Sequence, residues 1–82
     1  MITITVQLFA NLAERAATRE VTLELDDDAT VRDAFDALLT RTPSLEAVRS
    51  GIAFALNDAY VPADTPVTDG AVLSLIPPVS GG

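Results

Sequence analysis

A mixed α+β sheet packed on one main helix is the fold class this chain predicts. Three observations carry it. Residues 2–9 alternate strictly in polarity. Residues 31–39 carry a single apolar stripe at helical spacing. The second half offers only short apolar runs between turn signals, with no second long amphipathic helix. One helix covers one face of a sheet and leaves the other face to water.

Ile2, Ile4, Val6 and Leu8 fall on one side of the first strand, and Thr3, Thr5, Gln7 and Phe9 on the other. That is the period of a half-buried strand. Phe9 is the large apolar residue on the polar side. It is either a partner contact or covered by residues 10–18 folding over it. Leu12, Ala13, Ala16 and Ala17 have roughly helical spacing, so Asn11 to Ala17 predicts a short turn or helix. In the second strand Val21, Leu23 and Leu25 point inward, and Thr22 and Glu24 outward. Asp26, Asp27 and Asp28 lack the alternating ligands and central glycine of a calcium loop. They read as a solvated turn whose charge suits the positive end of the next helix.

Thr30 is the expected N-cap, with Asp33 completing an approximate capping box. Val31, Ala34, Phe35, Leu38 and Leu39 then form the apolar stripe. Arg41 lies in the last turn, and Pro43 ends the run by excluding Thr42 from helical geometry. Ser44 is read as the cap of a second short helix, Leu45 to Arg49, closed by Gly51. Ile52 to Leu56 reads as the third strand, Asn57-Asp58 as a tight turn, and Tyr60-Val61 as a brief strand ended by Pro62. Tyr60, beside a turn, is expected to be partly exposed. Pro66 and Asp69-Gly70 mark another reversal. In the last strand, Ala71 to Ile76, parity sends Ala71, Leu73 and Leu75 inward and Val72, Ser74 and Ile76 outward. If the first and last strands are central neighbours, Phe9 and Ile76 meet on the open face.

Composition narrows the chemistry. With 82 residues, 49% of them hydrophobic and 21% charged, the chain reads as one globular domain. Its net charge of −7 argues against nucleic acid, which needs basic patches. It suits a partner with a basic docking surface, or simply keeps the protein soluble. The five cations are all arginine, and there is no Cys, His or Lys. Disulfides, thiolate or imidazole metal sites, and Cys, His or Lys catalysis are therefore excluded. The longest apolar run, Ile52 to Leu56, is too short to span a bilayer. No signal-like segment opens the chain. A cytoplasmic protein that does not contact membrane is expected.

The ending sets this chain apart. Pro77 and Pro78 fix φ and carry no backbone donor, so they leave the sheet as an extended, polyproline-like stalk. Val79, Ser80, Gly81 and Gly82 follow. The two glycines make a tip thin enough for a narrow slot. Residues 1–76 read as the domain and 77–82 as a flexible tail that presents the terminal carboxylate. The alternative is an ordinary frayed terminus.

Strand, strand, helix, strand and strand before a Gly-Gly end resembles the ubiquitin-like β-grasp fold. More narrowly, the chain resembles the small, sulfur-carrying subunits of molybdopterin synthase in the MoaD/ThiS family. The resemblance covers essentially the whole chain. Its marks are Leu8-Phe9-Ala10 with Leu12-Ala13-Glu14, Thr30-Val31, Asn57, the run Thr65 to Gly70, and the closing Leu75 to Gly82. Two positions depart from it: Ile76 stands where Phe is often found, and Ala71-Val72 replaces an acidic pair.

The resemblance implies that an E1-like adenylyltransferase joins Gly82 to AMP. A sulfurtransferase or other sulfur donor then converts Gly82 to a thiocarboxylate. Pro77, Pro78, Val79, Ser80 and Gly81 thread the active site of the large synthase subunit, and sulfur passes to the pterin precursor. Phe9, Tyr60 and Ile76 map to partner contacts. Two small subunits sit on a dimer of large subunits, which supply the catalytic residues. The small subunit itself holds no metal and no tightly bound cofactor; AMP and the thiocarboxylate sulfur are transient modifications of its C-terminus. Three rival readings remain. One is a sulfur carrier for thiamine or tungsten cofactor synthesis. Another is an archaeal modifier of the SAMP type, which forms isopeptide bonds. The third is an interaction module with an inert tail.

Overall fold

The computed structural model describes residues 1–78. Its elements are β1 (Ile2–Leu8), α1 (Ala10–Ala16), β2 (Glu20–Leu25), α2 (Val31–Arg41), a 3-10 helix (Pro43–Val48), β3 (Ala53–Leu56), β4 (Ala59–Val61) and β5 (Val72–Ile76). The strands form one mixed sheet in the order β2-β1-β5-β3-β4. β1 and β5 run parallel at its centre, with Thr5 beside Val72 and Leu8 beside Leu75. The other neighbours are antiparallel.

The alternation in β1 becomes burial directly. Ile4, Val6 and Leu8 are at most 2% exposed, as are Leu73 and Leu75 of β5. The α2 stripe lies over them, with Val31, Ala34 and Leu38 fully buried. Each such aliphatic side chain contributes about 1.5–3 kcal/mol when removed from water. Phe35 meets Phe54 of β3 edge to face, with ring centroids 5.4 Å apart, an arrangement that aromatic quadrupoles favour. α1 packs against the 3-10 helix, and Leu12 and Leu45 are buried there.

The N-terminus of α2 shows how one helix locks the sheet. Four N–H groups at a helix start lack partners within the helix. Val31 N–H donates to Thr65 O at 2.9 Å and Arg32 N–H to Ala63 O at 2.8 Å. Asp33 N–H donates to Thr30 Oγ1 at 3.3 Å, and Thr30 N–H returns a bond to Asp33 Oδ2 at 2.9 Å. Ala34 N–H then opens the helix's own ladder by donating to Thr30 O. The loop after β4 thus serves as half of the cap.

Two side chains pin β5. Asn57 and Asp58 both have positive φ, 49° and 71°, and form the two-residue turn between β3 and β4. Such turns match the twist of the strands they join. Asn57 Oδ1 accepts from Val72 N–H at 2.9 Å while Asn57 N–H donates to Val72 O at 2.9 Å. Asp69 Oδ1 accepts from Thr3 N–H at 2.8 Å, and Gly70 N–H donates to Thr3 O. We expect Asn57→Ala to destabilise the domain by about 1–3 kcal/mol, because it strips the Val72 N–H of its acceptor and puts alanine in a left-handed conformation. Urea unfolding of the two proteins measures it.

Several boundaries differ from the sequence reading. β1 stops at Leu8, and Phe9 becomes the N-cap residue of α1. The second short helix is of the 3-10 type and starts at Pro43, with Thr42 as its N-cap. Ser44 does not cap it; its hydroxyl donates to Arg15 O at 2.9 Å, tying this segment to α1. Pro43 both ends α2 and opens the next helix, since proline at a first helical position loses no hydrogen bond. β3 begins at Ala53 and β5 at Val72, one residue later than the apolar runs begin.

Candidate docking face and tail root

The face of the sheet away from α2 holds the residues singled out for partner contact. Along β1 it presents Thr3, Thr5 and Gln7; along β5, Val72, Ser74 and Ile76. The register sets them in rows. One row runs Tyr60, Ala55, Ser74, Gln7 and Glu20 across all five strands. The Ser74 hydroxyl reaches Gln7 Oε1 at 3.4 Å within it. The next row holds Ile76 beside Ala53. Leu8 pairs with Leu75, so Phe9 and Ile76 lie one step past the last parallel pair.

Phe9 is 46% exposed and Tyr60 73% exposed, while Ile76 is half-buried. α1 therefore does not cover Phe9. The backbone explains why: Phe9 is still extended, at φ −125° and ψ 155°, and the chain turns only at Ala10, where φ is 51°. Alanine pays a steric cost in that left-handed region, and the turn there leaves the Phe9 ring outside the helix. An open groove of about 490 Å³ lies alongside, lined by Gln7, Phe9, Glu14, Arg19 and Glu20 among others. Ala55 was not foreseen in this face. It is 7% exposed, flanked by strands on both sides, and its small side chain leaves a flat floor between Tyr60 and Ser74.

The tail begins at the same end of the sheet. Because β5 runs parallel to β1, it finishes where β1 finishes, beside Phe9. Pro77 is half-buried and Pro78 exposed. Val79, Ser80, Gly81 and Gly82, expected in the tail, lie outside the described residues. The other end of the sheet is charged. There the Met1 amine pairs with the Asp27 carboxylate at 2.8 Å. That hydrogen bond, then the charge of Asp27, raises the amine's pKa.

A five-stranded sheet on one main helix, with parallel first and last strands and a C-terminal Gly-Gly tail, is a ubiquitin-like β-grasp domain. Comparison with known proteins agrees. The ThiS family model matches residues 6–82. The molybdopterin synthase sulfur carrier subunit of Arabidopsis thaliana is 37% identical over 99% of this chain and 84% of its own length. The crystal structure of SAMP1 from Haloferax volcanii superposes with a TM-score of 0.89 at 39% identity, covering 98% of this chain and 99% of that one. In a complex of subunits 1 and 2 of molybdopterin-converting factor from Helicobacter pylori, a chain matches with a TM-score of 0.70 at 28% identity, covering 99% of this chain and 100% of that one. The chain belongs to the ThiS family.

Proposed function

We propose that this protein is the sulfur carrier of a molybdopterin synthase, working in the cytoplasm as the non-catalytic small subunit. The Gly82 carboxylate attacks the α-phosphorus of ATP on an adenylyltransferase and releases pyrophosphate. A sulfur donor then displaces AMP, leaving a thiocarboxylate. The large subunit receives the tail, the sulfur bonds to a pterin precursor, and water then cleaves the acyl–sulfur bond, leaving the sulfur on the pterin and restoring the carboxylate. The observation that most supports this reading is the placement of the tail root. It leaves the central strand beside Ile76 and the exposed Phe9, on a face that also exposes Tyr60, so a partner gripping Phe9, Ile76 and Tyr60 holds the tail's point of departure.

The test is intact mass measurement after incubation with ATP, an activating enzyme and a sulfur donor. Exchange of one terminal oxygen for sulfur is expected; an unchanged mass contradicts the proposal. A second reading, a protein modifier, draws on the similarity to SAMP1. Covalent adducts on lysines of other proteins in a lysate would favour it.

Phe9→Ala is expected to weaken association with the large subunit by about 1.5–3 kcal/mol, the worth of burying one such ring. Folding stays intact because the ring is already half in water. Titration calorimetry beside a thermal melt checks both halves.

A further inference from the structure

We infer that Gly51 is a seat for the root of the tail, and that its contact with Pro78 sets the direction in which the last four residues are delivered. The inference rests on the tail being the working part, and it names what aims it. Ala53 pairs with Ile76 in the antiparallel β3–β5 ladder. Continued by two residues, that alignment brings Gly51 opposite Pro78. A methyl group on the Gly51 α-carbon would lie 3.3 Å from Pro78 Cγ and 3.5 Å from its Cβ. The ring thus packs against the place where a side chain would begin, close enough that a Cβ there would require it to give by a few tenths of an ångström. Pro77 and Pro78 have no N–H to extend the ladder, so beyond Ile76 packing takes over from hydrogen bonding. Gly51 also has φ +78°. Glycine there meets two demands at once: a left-handed turn into β3, and an empty place for the proline ring.

Asparagine tolerates the left-handed region but would push the ring away. The chain contains no cysteine, so a nitroxide on Glu46→Cys is a unique probe. In the free protein an Overhauser contact between the Gly51 α-protons and the Pro78 ring is expected. So is paramagnetic broadening of the Gly81 and Gly82 amides that Gly51→Asn reduces. Pro78→Gly should reduce it too, and the double variant no further, because the two changes break one contact. An absent Overhauser contact, or broadening unchanged by Gly51→Asn, overturns the seat whatever the tail's chemistry. In sulfur loading, Gly51→Asn should lower kcat about tenfold, since a misplacement of 1 Å costs on the order of a hundredfold. KM should hold, because the docking face is untouched. A glycine needed only for its turn would move the melting temperature instead. Failure of the wild-type protein to load sulfur would refute the carrier reading and leave the broadening test standing.

Discussion

Deletion of Gly82 is expected to abolish sulfur loading and to leave the melting transition in place. The carboxylate then belongs to Gly81 and sits one residue, about 3.3–3.6 Å, short of its former reach. Transfer needs the reacting atoms about 3–3.5 Å apart and aligned, and an error of 1 Å costs on the order of a hundredfold. A full residue of retreat therefore exceeds what the partner's site can absorb, and loss beyond a hundredfold is expected. Stability is expected to be spared because, among the described residues, the last buried side chain is Leu75 of β5. Intact mass after the loading reaction and a calorimetric melt of the same sample check the two parts together.

Leu73→Ala has the opposite profile. Leu73 is fully buried in the central strand, flanked by β1 and β3 through the pairs Val6–Leu73 and Leu56–Leu73. Truncation removes apolar contact and leaves a cavity, a cost of about 2–5 kcal/mol. A domain of this length holds roughly 4–12 kcal/mol in total. The variant should melt at least about 8 °C lower, at 4–8 °C per kcal/mol. Where it remains folded, at low temperature, it should still accept sulfur, since the face and tail are unchanged. Phe9→Ala and Leu73→Ala thus separate the two sides of one sheet. One variant is expected to bind more weakly while folded, and the other to unfold earlier while competent to bind.

What could be read in the sequence was what depends on period. The alternation in residues 2–8 and the stripe from Val31 to Leu39 gave the core, because a strand or helix with one buried face repeats that need along its length. Parity also placed Ile76 on the open face and Phe9 beside it. What could not be read depends on contacts between residues far apart in the chain. Nothing local shows that Thr65 O and Ala63 O cap α2, or that Ser44 turns toward Arg15 rather than its own helix. Ala55 carries no mark of its place on the docking face, since alanine suits either side of a sheet. Gly51 reads as a helix stop because its positive φ is a local property; its fit to Pro78 emerges only when β3 and β5 are aligned.

On the proposed function, the working atom belongs to the terminal carboxyl group, and the folded part holds and aims it. A single-turnover experiment tests this most directly. The protein is loaded with isotopically heavy sulfur, purified, and mixed with the large subunit and the pterin precursor. The heavy sulfur is expected to leave Gly82 and to be recovered in the pterin product, with the carrier returning to its original mass. Heavy sulfur retained on the carrier while product forms with ordinary sulfur would contradict it.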